Sequence, residues 1–300
     1  MSAFTQIDLS RLPAPQVVTV PDFEVILAEM KSAVISLEPD LAPVLALESE
    51  MATKVLQVCA FYVMLARAEK NDDARAVMLA FATGSDLDHL GALFGVARAV
   101  IDPGNPGAVP PVPAVMEDDT RLRARIQLAL EGFSTAGPVG AYLFHTLSAS
   151  PLVRDAFIES PEPGEVRVTV LSTEGDGTPD AALLDVVAAG LNDEEVRPLT
   201  DLVVVQAALI EPLTIDAAIE VMPGPDPAMV LAAAQAAIEA WADDLHRLGR
   251  SVRLSAIYAA LHREGVKRVV LTEPVSDIEI DPDQAAWVSA IALSLISEGA

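Results

Sequence analysis

The sequence predicts an α+β protein: an N-terminal helical region followed by two small α/β sandwich-like modules with mixed, short-stranded sheets. Three observations carry that expectation. The first hundred residues hold long apolar stripes at helical spacing and no strand-like run. A proline-rich stretch then breaks all periodicity. Beyond about residue 150, short Val-rich runs alternate with helical segments.

Taken in order, residues 1–20 contain Pro13 and Pro15 among polar groups and read as an extended arm. Residues 21–101 read as a helical region. PDFEVILAEMKSAVISL opens with Pro21 and Asp22 and sets Phe23, Ile26, Leu27 and Met30 on one face. A second helix is expected from about Pro43 to Asn71 and a third over about Asp72–Thr83. Residues 102–117 form a linker: five prolines and two glycines between Pro103 and Pro113 oppose regular structure, and VPPVP at 109–113 suits a semi-rigid hinge.

Residues 118–211 read as the first α/β module with its leading helices, at about Asp118–Gly132 and Pro138–Ser148. VRDAFIES and EVRVTVLS are two strands joined by Pro-Glu-Pro-Gly, followed by a helix over Pro179–Leu191 and the strand DLVVVQAALI. Residues 212–300 form the second module: the strand LTIDAAIEVM, an Ala-rich helix over Pro227–Leu248, a helix at about Leu254–Glu264 and the strand VKRVVLTEP. The two modules echo each other faintly. Tyr142, His145, Val153 and Arg154 align with Tyr258, His262, Val266 and Lys267, each set running from a helix into a strand.

Composition bounds the function. Aromatics make up only 4% of the 300 residues although hydrophobics reach 52%, which favours helix packing over an aromatic-lined ligand pocket. The formal net charge is −25, unevenly spread: residues 1–150 hold 10 basic and 18 acidic groups, and residues 151–300 hold 9 and 26. Such a field repels a phosphate backbone, so no nucleic acid is expected as a partner. It suits solubility, an acid-rich host proteome, or docking onto basic partners. The longest nearly apolar run, VLQVCAFYVMLA, spans 12 residues, so no membrane partner is expected either. The N-terminus lacks the charged and apolar regions of a signal peptide. The single cysteine, Cys59, excludes an intramolecular disulfide.

The chemistry-bearing residues do not assemble into a catalytic pattern. There is no G-x-S-x-G, no phosphate-cradling loop, no HExxH, and His89, His145, His246 and His262 stand far apart. No enzyme activity, cofactor or metal is therefore expected. The one dense cluster is ATGSDLDHLGALFGVAR, with Asp86, Asp88 and His89 just after Gly84. Its best reading is a corner between helices. Gly84 takes the left-handed conformation that closes one helix, and Ser85 or Asp86 starts the next. Leu87, Leu90, Leu93 and Phe94 face inward, and Asp86 and Asp88 sit at the positive helix end. Gly84, Asp86, Leu87, Asp88 and Gly91 are the corner residues, Gly91 forming a GxxxG with Gly95 that allows close approach.

For contacts to a partner, the helix Pro43–Asn71 offers Leu56, Phe61, Val63 and Leu65, which suit packing on the chain's own helices equally well. Arg121, Arg123 and Arg125 form a basic stripe that suits acids on a neighbour or simple solvation.

ARAVMLAFATGSDLDHLGALFGVAR resembles the element of baseplate J-like proteins that passes from a helix through glycine to L-D-x-[LI]-G and ends in Gly-x-x-Arg. IDLSRLPAP at the start, PPVPAVMEDDTRLRARIQLALEGFSTAGPVGAYLFH in the middle and HRLGRSVRLSAIYAALHREGVKRVVLTEP near the end resemble the same family in order, across nearly the whole chain. The resemblance implies a non-enzymatic baseplate wedge subunit of a contractile phage tail or tail-like particle, made and assembled in the bacterial host cytoplasm. It implies two copies per wedge with an I-type tail protein, a ring of wedges around central hub proteins, and a W-type lysozyme-like subunit nearby. Residues 21–101 would then join a helical bundle, and the α/β modules would make ring contacts. The alternative, a wall hydrolase carried on a tail, needs poised acids that the sequence does not supply at convincing spacing.

Overall fold

The computed structural model describes residues 7, 9–13, 22–133, 138–194, 196–224 and 226–296. The Ser-Thr-Ala-Gly segment at 134–137 and most of the expected N-terminal arm lie outside them. The described residues divide into two compact units, one within 7–98 and 118–126, the other within 99–117 and 127–296.

The first unit is helical. Helix α1 (Phe23–Leu37) starts where Asp22 accepts the backbone N–H groups of Glu24 (2.9 Å) and Val25 (3.3 Å), as an N-cap should. After the short α2 (Ala42–Leu45) comes α3 (Met51–Ala76), 26 residues long. The expected break at Asn71–Asp73 does not occur. That tripeptide contains no glycine or proline, and Asp72 pairs with Arg75 one turn on at 3.2 Å, so the helix runs through it. Helix α1 packs on α3 around Ile26, Leu27 and Ala60, with Phe23, Met30, Leu56, Val63 and Met64 around them. Helix α4 (Gly84–Ala92) follows a turn at 77–83, and the start of α5 (Asp119–Gly132) completes the unit.

Helix α3 also revises an expectation about length. Its best 18-residue window has a mean hydropathy of 1.3, so by length and composition alone it could cross a membrane. The 12-residue run understated this, because Lys54 and Arg67 bound the apolar sequence without ending the helix.

In the second unit, the proline-rich segment is more ordered than its composition suggested. Strands β1 (Val100–Asp102) and β2 (Val115–Met116) pair antiparallel, and Asn105 and Val112 exchange backbone hydrogen bonds of 2.9 and 3.0 Å. Of the residues between the prolines that keep an N–H, Asn105 and Val112 use it across the ribbon, while Gly104, Gly107 and Ala108 donate locally to Asp102 and Asn105. Glu117, 2% exposed, closes the base by accepting Ala99 N–H at 3.0 Å.

The two α/β modules lie in this same unit. In the first, α6 (Val139–Ala149) leads into β3 (Val153–Glu159), β4 (Glu165–Ser172), α7 (Ala181–Leu191) and β5 (Leu202–Ala207). Central β4 pairs antiparallel with β3 and parallel with β5. Helices α6 and α7 cover one face over Tyr142, Val153, Val168, Val170, Val187 and Leu191. The second module has β6 (Leu209–Val221) at its centre, antiparallel to β7 (Val266–Glu273) and parallel to β8 (Gln284–Leu295). Helices α8 (Pro227–Leu245) and α9 (Leu254–Leu261) cover its core of Ile215, Ile219, Ile238, Ile257 and Leu261.

Both sheets therefore have three strands and one plan: a central strand, an antiparallel edge strand preceded by a helix, and a parallel edge strand. The sequence echo falls on matching parts of that plan, α6–β3 and α9–β7. The order of connection differs. The module-one chain enters at the antiparallel edge, whereas the module-two chain enters at the centre. Strand β8 had no sequence signal, because QAAWVSAIALSL is rich in Ala and Ser rather than Val.

Only Ala208, 5% exposed, separates β5 from β6. Its N–H donates to Val170 O (2.9 Å) and the next N–H, of Leu209, to Asp283 O (3.1 Å), so one residue passes the chain from one sheet to the other. Leu171, Ala208 and Ala285 form a small core at that junction. Arg154 on β3 donates to the His246 carbonyl (2.8 Å), to the Asp243 carbonyl and to the Asp243 carboxylate (2.7 Å), at the C-terminus of α8 where a cation is favoured. Asp155 accepts Leu248 N–H at 3.1 Å, and burial pushes its carboxyl above the usual aspartate range.

Candidate interaction surfaces

The cluster flagged in the sequence is a structural corner centred on a residue the sequence reading did not single out. Gly84 has φ +53, with open space where a Cβ would stand. It opens α4, with Thr83 as the extended residue before it, rather than closing the preceding segment. Arg98, ten residues past Asp88, folds back across the corner. Its Nε donates to Asp88 Oδ1 at 2.7 Å, and its Nη2 donates to Asp119 Oδ1 at 2.7 Å and to the Gly84 carbonyl at 3.3 Å. Asp119 Oδ2 in turn accepts Gly84 N–H at 3.1 Å.

The ring of contacts shifts both groups toward their charged forms. Burial works against the Arg98 charge, but hydrogen bonds and attraction from Asp119 and Asp88 outweigh it and raise its pKa. The Gly84 N–H, then the Arg98 guanidinium, hold Asp119 below the usual carboxylate range. The sequence signal was present in the Gly-x-x-Arg ending and in Asp119, but only the fold brings them together.

The other corner residues divide by helical phase. Leu87 is fully buried. Gly91 is required by contact: a Cβ there would lie 2.6 Å from Val96 O and 3.2 Å from Ile126 Cδ1. Asp86 and His89 are exposed at the surface of α4. Leu93, expected inside, is 76% exposed, because α4 ends at Ala92 and the chain turns through Gly95 at φ +72. Among the described residues no group of three or more His, Cys, Asp or Glu side chains is placed to hold a metal ion.

The basic stripe is used within its own unit. Asp118 caps α5 by accepting from Thr120 (2.8 Å) and Arg121 (3.0 Å). Arg123 donates to the carbonyls of Leu79 (2.7 Å) and Ala82 (2.6 Å), satisfying the turn at 77–83. Arg125 is 7% exposed and donates to Ala97 O at 3.2 Å. Arg123 and Arg125 thus hold the corner's backbone, and Arg121 is half-buried.

The apolar candidates on α3 also separate. Leu56 and Val63 turn inward against α1, since they lie on the side of the helix occupied by Ala60. Phe61 and Leu65 are exposed. The exposed stripe is larger than expected: Met51, Val55, Val58, Tyr62 and Leu65 all face solvent. Their spacing of four, three, four and three residues keeps them within a narrow band opposite Ala60, at about 100° per residue.

Sequence comparison finds relatives along most of the chain. Family models for the baseplate J-like N-terminal, central and C-terminal domains match residues 48–105, 134–207 and 213–294. Baseplate protein J of Escherichia phage P2 is 48% identical over 286 residues, covering 94% of this chain and 95% of that protein. The chain belongs to the baseplate J-like family. Among solved structures, a chain of the anti-feeding prophage baseplate, determined by cryo-EM with 6-fold symmetrisation, aligns with a TM-score of 0.39 and 15% identity. That alignment covers 61% of this chain and 44% of the other. The central-domain match coincides with the first α/β module and the C-terminal match with the second, while the N-terminal match takes in α3, α4, Arg98 and β1 but not Asp119.

Proposed function

We propose that this chain is a wedge subunit of a contractile tail baseplate and enters the assembly through the exposed face of α3. As a baseplate J-like protein it is a structural component of a phage-type tail baseplate. The finer reading rests on one observation, the apolar stripe Met51–Val55–Val58–Tyr62–Leu65 on a helix already packed on its opposite side. A 4-3-4-3 stripe is the seam of a helix pair or bundle, and its partner is another amphipathic helix. A lipid-facing helix would instead be apolar all round, whereas α3 carries Lys54, Arg67, Glu69 and Lys70.

In this reading two copies of the chain join an I-type tail protein through their α3 helices. Six such wedges surround the central hub, near the W-type subunit, and the α/β modules make ring contacts. The Arg98 corner serves by fixing the direction in which α4 leaves the end of α3. Phe61 and Leu65 remain candidate partner contacts. Gly84, Leu87, Asp88 and Gly91 act through the corner.

The test is co-expression with the neighbouring tail proteins, followed by native mass determination of purified complexes. A discrete complex of two copies with one smaller tail protein is expected. Substituting Val58→Glu and Tyr62→Glu together must abolish it while the chain stays folded. A complex that forms equally well with both substitutions refutes the α3 contact. The competing tail-borne hydrolase predicts turnover of cell wall by the purified chain, lost on replacing Asp86 and Asp88.

A further inference from the structure

His246 is the buried titratable group that the baseplate role leaves unexplained. It follows the last turn of α8 and is 4% exposed, lying between the two α/β modules. Its Nδ1 lies 2.8 Å from the carbonyl of Ala286 on β8, a contact that requires the proton on Nδ1 and leaves a lone pair on Nε2. Nε2 is buried with no hydrogen-bond partner among the described residues. It faces Gly177 in the loop after β4, where a Cβ would fall only 2.5 Å away, and Gly177 has φ +95. Trp287 packs edge-on to the ring at a centroid distance of 5.0 Å. One side of the imidazole thus belongs to the second module and the other side rests on the first.

We propose that His246 is a proton-operated latch between the two α/β modules. As the neutral imidazole it seats the Gly175–Gly177 loop against β8, and a proton on Nε2 releases that loop. The added N–H would be a buried donor facing a glycine, with no acceptor in line. None of the charged groups around it is hydrogen-bonded to Nε2. Asp176 Oδ1 already accepts Thr178 N–H at 3.0 Å. On β3, Arg154 repels a second cation, and Asp155 is held by Leu248 N–H and Ala156 N–H. On α8, Asp243 is paired with Arg154. Arg247 and Arg250 follow His246 in the chain, and β8 contributes only the Ala286 carbonyl and Trp287.

Burial is the largest influence on the His246 pKa and, with Arg154, pulls it below the usual histidine range against Ala286, Asp243 and Asp176. A depressed folded-state pKa means the unfolded chain binds the proton first. The contribution is therefore present above about pH 6.5 and is lost as the pH falls through the lowered value. Asp155 faces the same junction with the opposite sign, since its raised pKa makes protonation favour the closed form. Asp176, held low chiefly by the Thr178 N–H, shares the sign of His246, but its contribution is lost only below the usual aspartate range. Loosening between pH 7.5 and 5.0 therefore points to His246.

Amide hydrogen exchange on the full-length chain tests this at pH 7.5 and 5.0, corrected for intrinsic rates. The expected result is at least a tenfold loss of protection at pH 5.0 in peptides covering 174–178 and 246–250, with the α8 core at 230–238 unchanged. His246→Gln, which keeps a donor for Ala286 but does not titrate, removes that pH dependence. Should this variant fail to fold, NMR titration of His246 in the unaltered chain decides, with a midpoint below 6.5 that coincides with the loss of protection. Protection that is equal at the two pH values, a loss that persists in His246→Gln, or a His246 titration separate from the loosening overturns the proposal.

Discussion

Removing the Arg98 side chain tests the reasoning about the corner most directly. In Arg98→Ala three acceptors lose their donor at once: Asp88, Asp119 and the Gly84 carbonyl. They are not equally exposed. The Asp88 side chain is 47% accessible and water replaces its partner, so that contact contributes no more than about 0.5 kcal/mol. Asp119 is 32% accessible and Arg98 only 13%, so this pair is partly desolvated, and a charge-assisted bond there contributes about 1.5–3 kcal/mol. A loss of about 2 kcal/mol follows for local opening of the corner. The reporter is the Gly84 amide, which donates to Asp119. Its exchange should accelerate by about 30-fold at neutral pH, the equivalent of 2 kcal/mol, while amides at the centre of α1 stay unchanged. Less than a threefold change at Gly84 would show that Asp119 holds the corner unaided and that Arg98 is a surface ornament. The same reporter has a pH limit. The depressed pKa of Asp119 keeps its contribution intact above about pH 4, and the contribution is lost as pH falls through the lower folded-state value.

Two glycines should respond differently to alanine. Gly84→Ala meets open space and costs only the left-handed backbone, about 1 kcal/mol. Gly91→Ala collides with Val96 O and Ile126, so it costs about 3 kcal/mol and lowers the urea midpoint of the helical unit much further. Tyr142→Phe deletes the 2.8 Å bond from the buried hydroxyl to Asp201. Hydrogen exchange of the β3 and β4 amides should show a loss of about 1.5–3 kcal/mol in the first α/β module. Glu at Val58 and Tyr62 together should leave the melting of the isolated chain within about 0.5 kcal/mol of the unaltered protein, since both side chains are exposed. Circular dichroism checks this beside the assembly assay.

The parts legible in the sequence are those fixed by local patterning. The β3–β4 hairpin could be read from two Val-rich runs around Pro-Glu-Pro-Gly, and α7 and α8 from their apolar periodicity. Two helix starts could be read from Asp22 and Asp118, which cap α1 and α5 as side-chain acceptors. The misreadings have physical causes. Asp72 and Asp73 look like a helix start but have no breaker beside them. The Ala- and Ser-rich β8 lacks β propensity of its own and is a strand because β6 offers it a long parallel ladder. Leu56 and Leu65 look alike in a linear sequence, and only the position of α1 decides which of them is covered. Arg98 and Asp119 were visible as residues, but their meeting depends on a return of the chain after a 20-residue excursion.

That excursion bears on the order in which the protein can form during synthesis. The helical unit is interrupted in sequence: it runs to Arg98, leaves for the β1–β2 ribbon, and is completed only by residues 118–126. On the ribosome, α1, α3 and α4 emerge before the segment that packs on Gly91 through Ile126 and engages Arg98 through Asp119. The unit cannot close until Ile126 has cleared the exit tunnel, at synthesis rates of about 5–20 residues per second. Until then the second apolar stripe of α3 is exposed beside an unfinished core, in a chain whose neighbouring copies come from the same message. Premature pairing of nascent chains is thus the hazard built into this topology, and the early N-terminal half, with its −8 charge, supplies mutual repulsion against it.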